Sequence, residues 1–350
     1  MPLPPSLKKE LQSHLHEMVF SLFKVKSKQN VVIIHDQQSP LSKIVTQGYR
    51  DALKEHGSTL THFWDFDAFT SEQLIEKINA LKEGDLVVLV QSSSFRVSVY
   101  RWRLELFARK LKVIEHMRLS YMKESEFPTY IHSLKNDSPY YVKATEKIAN
   151  LLRKSKHIKV ECMQGSILEI HSEMEEPITN TGVYEEGENW GGGFPIGEIF
   201  SEPKDITKWS GAVEVFAYPG EDHKMVFTPK PFIIHLKEGH VEVEKCSFPK
   251  DFLPLIRMME SENKDGKIPI REFGMGLNRA LSKQHPLTEA TAWERVNGLH
   301  LSLGMKHGVY QKKFNKNKEI QQRYHIDIYP DVKRIWIAEE LVYDKGMFLL

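Results

Sequence analysis

The sequence predicts an α/β protein of two domains. An N-terminal open α/β domain with a mainly parallel sheet is predicted over residues 1–150, and a C-terminal α+β domain with a mostly antiparallel sheet over residues 151–350. The 350 residues give room for about two domains of about 150 residues each. Residues 29–112 alternate short β-branched runs with longer amphipathic segments, as βαβ units do. From Ile158 onward, short alternating strands are separated by turn sequences.

The first half supplies its elements in a regular order. Residues 1–26 predict an amphipathic helix, because charges interrupt the apolar residues every few positions. Helices are predicted near 39–56 and 71–82, and Gly57 and Gly84 follow them as residues suited to the positive φ of a helix C-cap. Buried strands are predicted at NVVIIHD (30–36), LTHFWDF (60–66) and DLVVLVQ (85–91).

The segment 97–116 interleaves basic and aromatic residues, a composition that nucleic-acid-binding proteins also use. Helical spacing places Val99, Trp102, Leu106 and Val113 on one apolar stripe. We therefore interpret the basic residues as the solvated face of a helix.

The second half predicts hairpins. Segments 157–173 and 210–245 alternate apolar and polar residues, and the second contains the tight-turn sequences PGED and KEGH. One helix is predicted near 250–263, and a last hairpin turns at 344–346.

Composition narrows the function classes. The 48 Lys and Arg against 47 Asp and Glu give no overall field for nucleic acid or an anionic membrane, so neither is expected as a partner. The longest aliphatic run, LVVLV at 86–90, is far below the ~18 residues of a membrane span. Two cysteines without CxxC spacing favour the cytoplasm, and 16 histidines justify a search for a metal site.

Several well-known catalytic motifs are absent from the sequence. It has no GxxxxGK[ST], no GxGxxG after a strand, no GxSxG and no HExxH. These absences disfavour P-loop, dinucleotide-binding, α/β-hydrolase and zincin chemistry.

Four short segments of the second half pair a metal-ligating side chain with glycine or with a strand. His325 and Asp327 are two residues apart, so a strand presents both on one face. Glu198 and Glu272 stand among apolar residues, where a charge must be paired, coordinated or neutralised. Each also has a structural interpretation on its own, and His300 alone could be a core histidine. The segments are FPIGEIF (194–200), REFGMG (271–276), NGLHLSLG (297–304) and YHIDIYP (324–330).

Three carboxylates and two imidazoles without a thiolate suit divalent Zn, Co, Mn or Mg. Five protein ligands exceed the roughly three of one open catalytic zinc site. If they converge, the C-terminal domain carries a two-metal site with a bridging carboxylate and a metal-activated water.

At these segments the sequence resembles the thermophilic metallopeptidase family that includes aminopeptidases T and S. Members of that family carry Pro-x-Gly/Glu-Glu-Val-Phe, Glu-Leu-Gly-x-Gly-x-Asn and Gly-Thr-x-His-x-Ala-Leu-Gly segments and a late His-x-Asp. In this sequence they read PIGEIF, EFGMGLN, GLHLSLG and HID, in the same order. The resemblance extends over the whole chain, but the second half carries nearly all of the specific signal.

The resemblance implies a metal-dependent aminopeptidase that acts on small peptides as a homodimer. It implies two divalent metal ions, with Glu198 and Glu272 also taking part in catalysis, and a nearby carboxylate that anchors the free α-amine of the substrate. The implied metal ligands are Glu198, Glu272, His300, His325 and Asp327.

The sequence departs from the family pattern at two positions, and one glycine-rich segment has two interpretations. A catalytic family tyrosine aligns with His307, and Tyr310, three residues further on, is the alternative for that role. Arg279 stands where the family usually has proline. The glycine-rich segment 185–194 is either a rim over the site or a plain surface loop.

Two other interpretations stay open. A second branch on the same scaffold resembles the 2,5-dihydroxypyridine ring-cleaving dioxygenases, which bind one Fe(II) through two His and one Asp. In that branch the second-motif acid is His, whereas this sequence keeps Glu272 together with Glu198 and His300. The third interpretation is a non-catalytic binding protein, which would have no physical reason to keep three buried carboxylates together.

Overall fold

The computed structural model describes residues 3–54, 60–97, 100–184, 190–263, 265–304, 306–307, 310 and 324–350. The helices are α1 (Pro5–Glu17), α2 (Pro40–Lys54), α3 (Ser71–Asn79), α4 (Trp102–Ala108), α5 (Phe127–Ser133), α6 (Ser138–Lys154), α7 (Leu253–Glu262) and α8 (Ala290–Trp293). The strands are β1 (Asn30–His35), β2 (Leu60–Asp65), β3 (Leu86–Val90), β4 (Arg96–Val97), β5 (Tyr100–Arg101), β6 (Lys112–His116), β7 (Ile158–Cys162), β8 (Ile167–Ile170), β9 (Ile178–Asn180), β10 (Gly191–Gly193), β11 (Glu198–Ser201), β12 (Trp209–Pro219), β13 (Met225–Lys237), β14 (His240–Val241), β15 (Ile270–Gly276), β16 (Gly298–Gly304), β17 (His325–Pro330), β18 (Val332–Ile337), β19 (Glu340–Asp344) and β20 (Met347–Phe348).

The chain forms two compact units. The parallel-sheet unit comprises Met1–Ser138, Gly182–Ile196 and Lys283–Trp293. The antiparallel-sheet unit comprises Pro139–Thr181, Gly197–Ser282 and Glu294–Leu350. The predicted division into an N-terminal domain over residues 1–150 and a C-terminal metal-binding domain over residues 151–350 stays a prediction. Among the described residues, no helix is long and apolar enough to cross a membrane.

The parallel-sheet unit confirms the predicted α/β class. Its sheet has the order β10-β6-β3-β1-β2, and all of these pairs are parallel. The residues of β3 are all buried, as expected for a central strand covered on both faces. The glycine-rich segment supplies an edge strand through Gly191–Gly193, whereas its residues 185–189 lie outside the described residues.

Two local predictions in this unit need correction. The helix predicted in segment 97–116 ends at Ala108. Val113 lies on β6, because the β-branched pair Val113 and Ile114 joins the sheet beside β3. Trp102, Leu106 and Val113 nevertheless share one core, and Val99 lies outside the described residues.

The predicted capping glycines also turn out differently. Gly84 has a φ of 84°, but it lies in the turn before β3, because α3 already ends at Asn79. Gly57 lies outside the described residues.

The antiparallel-sheet unit confirms the α+β class predicted for the second half. Its main sheet has the order β20-β19-β18-β7-β8-β12-β17-β16-β15-β11-β9, and β13 and β14 extend it from β12. The predicted helix near 250–263 is α7, and the last predicted hairpin is formed by β19 and β20. Four adjacent strands, β17, β16, β15 and β11, carry the segments that the sequence singles out as metal-binding.

Candidate metal centre

The register of these four strands brings the five predicted ligands together. Antiparallel pairing sets Glu198 opposite Gly276, His300 opposite Gly274 and His325 opposite Gly304. A Cβ at position 274 would overlap the ring of His300. Glycine at position 274 therefore makes the space that the imidazole of His300 fills.

The first group of possible ligands consists of Glu198, Glu272 and His300, all of them buried. Nε2 of His300 lies 3.2 Å from Oε1 of Glu272 and 3.4 Å from Oε1 of Glu198. The imidazole therefore contacts both carboxylates with the same nitrogen.

The second group consists of Glu272, His325 and Asp327. Nε2 of His325 lies 3.2 Å from Oδ1 of Asp327 and 3.9 Å from Oε2 of Glu272. Glu272 thus belongs to both groups, with Oε1 directed to His300 and Oε2 to His325. A carboxylate in this position is able to bridge two cations.

The polar atoms of the centre fit a bound cation. Among the described residues, Glu272 Oε2 and His300 Nδ1 are buried without a hydrogen-bond partner. A buried carboxylate oxygen without a donor is costly, and coordination to a cation removes that cost. Ligands at 2.0–2.2 Å around a tetrahedral ion lie roughly 3.4 Å from one another, close to the separations found here.

The carboxylates hold both imidazoles in the charged form when no metal is bound. Burial lowers the pKa of His300, but the hydrogen bond to Glu272 and the charge of Glu198 raise it to about 9. Burial likewise lowers the pKa of His325, but the charges of Asp327 and Glu272 raise it to about 10. Burial raises the pKa of Asp327, but the charge of His325 outweighs it and lowers that pKa below its usual value. The centre therefore attracts positive charge strongly.

A permanent cation already lies at one edge of the first group. Arg295 is buried, and its Nη2 lies 3.2 Å from Oε2 of Glu198. Its Nη1 pairs with the carboxylate of Glu294. Burial raises the pKa of Glu198, and the charge of Arg295 opposes that rise. The first group is thus partly neutralised by the protein itself, whereas no Lys or Arg among the described residues forms an ion pair with Asp327 or Glu272.

His307 and Tyr310, the two candidates for the role of the family tyrosine, occupy different surroundings. The ring of His307 lies 5.9 Å from the ring of His325, and burial lowers its pKa. The hydroxyl of Tyr310 donates to the carbonyl of Glu176 at 2.8 Å, and burial raises its pKa. His307 therefore lies beside a predicted ligand, while the Tyr310 hydroxyl is occupied by the main chain.

Sequence reasoning missed three charged residues of this region. Glu202 accepts a hydrogen bond from the main-chain N–H of His307 at 2.6 Å, and burial raises its pKa to about 7. Glu294 and Arg295 complete the set, and burial raises the pKa of Glu294 to about 7. For Glu294 and Arg295 the sequence does carry a signal, a charged pair between the apolar residues Trp293 and Val296 just before a ligand-bearing strand. That signal marks the two residues and does not predict the contact of Arg295 with Glu198.

Comparisons with known proteins found similar folds among solved structures. No family model matches the chain, and no curated protein matches it. Among solved structures, the 2,5-dihydroxypyridine dioxygenase of Pseudomonas putida is 13% identical with a TM-score of 0.64, over 99% of this chain and 98% of its own. AmpT of Thermus thermophilus is 11% identical with a TM-score of 0.61, over 98% of this chain and 100% of its own.

Such low identities show a shared fold and leave the chemistry open. The solved structures that share this fold thus include a dioxygenase and AmpT.

Proposed function

We propose that this protein is a metal-dependent aminopeptidase that removes N-terminal residues from small peptides at a centre of two divalent cations. The observation that carries the proposal is the position of Glu272, whose two oxygens face two different groups of ligands. Glu198 and His300 would complete one cation site, and His325 and Asp327 the other. The proposed ions are Zn, Co, Mn or Mg, which accept this donor set.

Bound divalent cations supply a low-pKa water and polarise the scissile carbonyl. The protein's own residues would hold and direct these groups. Glu198, Glu272 and His300 are buried, so they exclude bulk water from their side of the centre. Glu202, with a pKa of about 7, is suited to exchange a proton near neutral pH, and it also fixes the main chain of His307. His307 is the proposed substrate contact, because its ring lies 5.9 Å from the ring of the proposed ligand His325.

The test is metal-dependent hydrolysis by the purified chain. The protein is stripped of metal, reloaded separately with Zn, Co, Mn or Mg, and assayed on aminoacyl p-nitroanilides and dipeptides. We expect hydrolysis only with metal, no hydrolysis of N-acetylated analogues, and at least a roughly thousandfold loss in Glu272→Gln.

The matched control is Glu161→Gln, which changes a carboxylate paired with Lys333 at 2.7 Å in the same unit. It should keep full activity. Hydrolysis that survives metal removal or the Glu272→Gln change would refute the proposal.

A second candidate is a non-haem iron dioxygenase. The observation that favours it is the ion pair of Glu198 with Arg295, which occupies one carboxylate of the first group and leaves Glu272, His325 and Asp327 as one group for a single ion. That group has one imidazole, whereas the dioxygenase set has two. One iron per chain, with oxygen uptake on addition of Fe(II) and 2,5-dihydroxypyridine, would support this candidate over the hydrolase. The homodimer and the cytoplasmic location stay predictions.

A further inference from the structure

A second group of possible metal ligands lies outside the centre, at the open end of the β7–β8 hairpin. His157 directly precedes β7, Glu169 belongs to β8, and His171 directly follows β8. Antiparallel pairing joins Ile158 to Ile170. Side chains alternate along a strand, so the three ligands lie on the same, partly exposed face.

The three side chains leave a gap of the size that a cation needs. Nε2 of His157 lies 3.6 Å from Oε1 of Glu169, and Nε2 of His171 lies 3.5 Å from Oε2 of the same carboxylate. Both separations exceed the usual length of a hydrogen bond. They match the distance of roughly 3.4 Å between ligands of one tetrahedral ion.

The imidazoles are placed side by side without bonding to each other. Their rings stack with centroids 4.5 Å apart and an interplanar angle of 4°. Nε2 of His157 is buried, and it has no hydrogen-bond partner among the residues that the structure describes. A buried ring nitrogen directed toward a carboxylate, without a bond, is an available ligand.

Neighbouring lysines leave Glu169 free for this role. The ammonium of Lys159, the residue paired with Glu169 across the hairpin, lies over the ring of Trp336 at 5.5 Å. Lys156 pairs with Glu173 at 3.4 Å. In the described part of the chain, the only basic groups in ion-pair range of Glu169 are the two imidazoles.

We propose that His157, Glu169 and His171 form a separate binding site for one borderline divalent cation of the zinc class. Two imidazoles and one carboxylate are a common zinc ligand set, and water would take the fourth position. The ion would join the residue before β7 to the residue after β8. It would therefore hold the open end of the hairpin together and stabilise the antiparallel-sheet unit.

The test counts zinc ions in matched variants. The wild type, His171→Asn and Glu169→Gln are stripped of metal, titrated with Zn²⁺ alone in a calorimeter, and analysed for zinc after gel filtration. We expect each variant to bind one ion fewer than the wild type, or to bind that ion more weakly by on the order of tenfold or more. Zinc should raise the melting temperature of the wild type more than that of either variant.

The control is His223→Asn, which removes an exposed histidine from a turn of the same unit. It should behave like the wild type. Equal zinc stoichiometry and affinity in the wild type and His171→Asn would overturn the proposal. The experiment measures a difference at the hairpin, so its result is independent of how many ions the centre binds and of whether the chain is an aminopeptidase.

Discussion

Each unit of this protein contains a fully buried histidine, and the pKa values of the two are shifted in opposite directions. In the parallel-sheet unit, Nε2 of His116 lies 2.9 Å from the hydroxyl of Tyr49, and Nδ1 lies 2.7 Å from that of Tyr130. Burial lowers the pKa of His116 to about 3. In the antiparallel-sheet unit, His300 contacts two carboxylates and its pKa is raised to about 9.

The partners of each histidine, and not burial itself, determine this difference. Neutral hydroxyls leave the desolvation of His116 unopposed, so it stays uncharged and contributes hydrogen bonds to a core. The negative charges of the neighbouring carboxylates raise the pKa of His300 by more than burial lowers it. Buried negative charges of this kind require positive partners. The first arrangement stabilises the fold, and the second is suited to bind cations.

The strongest way to test this contrast is to truncate a histidine in each unit. His325→Ala should abolish metal binding at the second group of ligands and lower hydrolysis by roughly a thousandfold. His116→Ala should leave the metal content per folded chain unchanged, but it should lower the free energy of unfolding by about 2–4 kcal/mol, because two buried hydroxyls lose their partner. Elemental analysis and urea unfolding of both variants measure the two effects. The contrast fails if the two variants lose metal to the same degree.

The contrast is sharpened by removing the cation that the protein itself supplies. In Arg295→Gln, Glu198 loses its ion pair, so the first group should bind a divalent cation more tightly by roughly tenfold to a hundredfold. The metal-free variant should be less stable, because the buried carboxylates of Glu198 and Glu294 lose the guanidinium with which both are paired. Calorimetric titration of metal-free protein measures the affinity, with the partly exposed Arg334→Gln as control. Weaker cation binding would show that Arg295 instead orients Glu198 as a ligand.

The last test concerns a pH dependence specific to His116. Its pKa is about 3 in the folded state against 6.5 for a free histidine, so the unfolded chain binds the additional proton in this interval. The contribution of His116 to the free energy of unfolding should therefore be constant above about pH 6.5. As the pH is lowered from there, the free energy of unfolding should decrease by about 1.4 kcal/mol per pH unit because of this one group. Urea unfolding of the wild type and His116→Gln between about pH 4 and 7 measures the difference. A difference that does not change with pH would contradict a neutral His116.

The sequence predicted the elements whose pattern is local. The apolar run Leu86–Val90 forms a buried strand, as predicted. The alternation of apolar and polar residues in Ile158–Cys162 likewise predicts the strand that the structure shows. The failures depend on tertiary context. Val113 suits both an apolar helical stripe and a buried strand. Its pairing with Val87 of β3, a contact between distant parts of the sequence, places it in a strand.

The candidate site shows the same division. Glu198, Glu272, His300, His325 and Asp327 were found from short motifs, and four adjacent strands do bring them together. Arg295 lies in no such motif, and its pairing with Glu198 joins positions 97 residues apart (295 − 198). No local pattern reports a contact of that kind.

The glycine opposite His300 has a consequence for how this centre can change over evolution or in a library. Position 274 has no room for a side chain while an imidazole occupies position 300. A smaller ligand at 300 would leave an empty volume that alanine or serine at 274 could fill. The two positions therefore behave as one unit of variation, and a search for new metal specificity should substitute them as a pair.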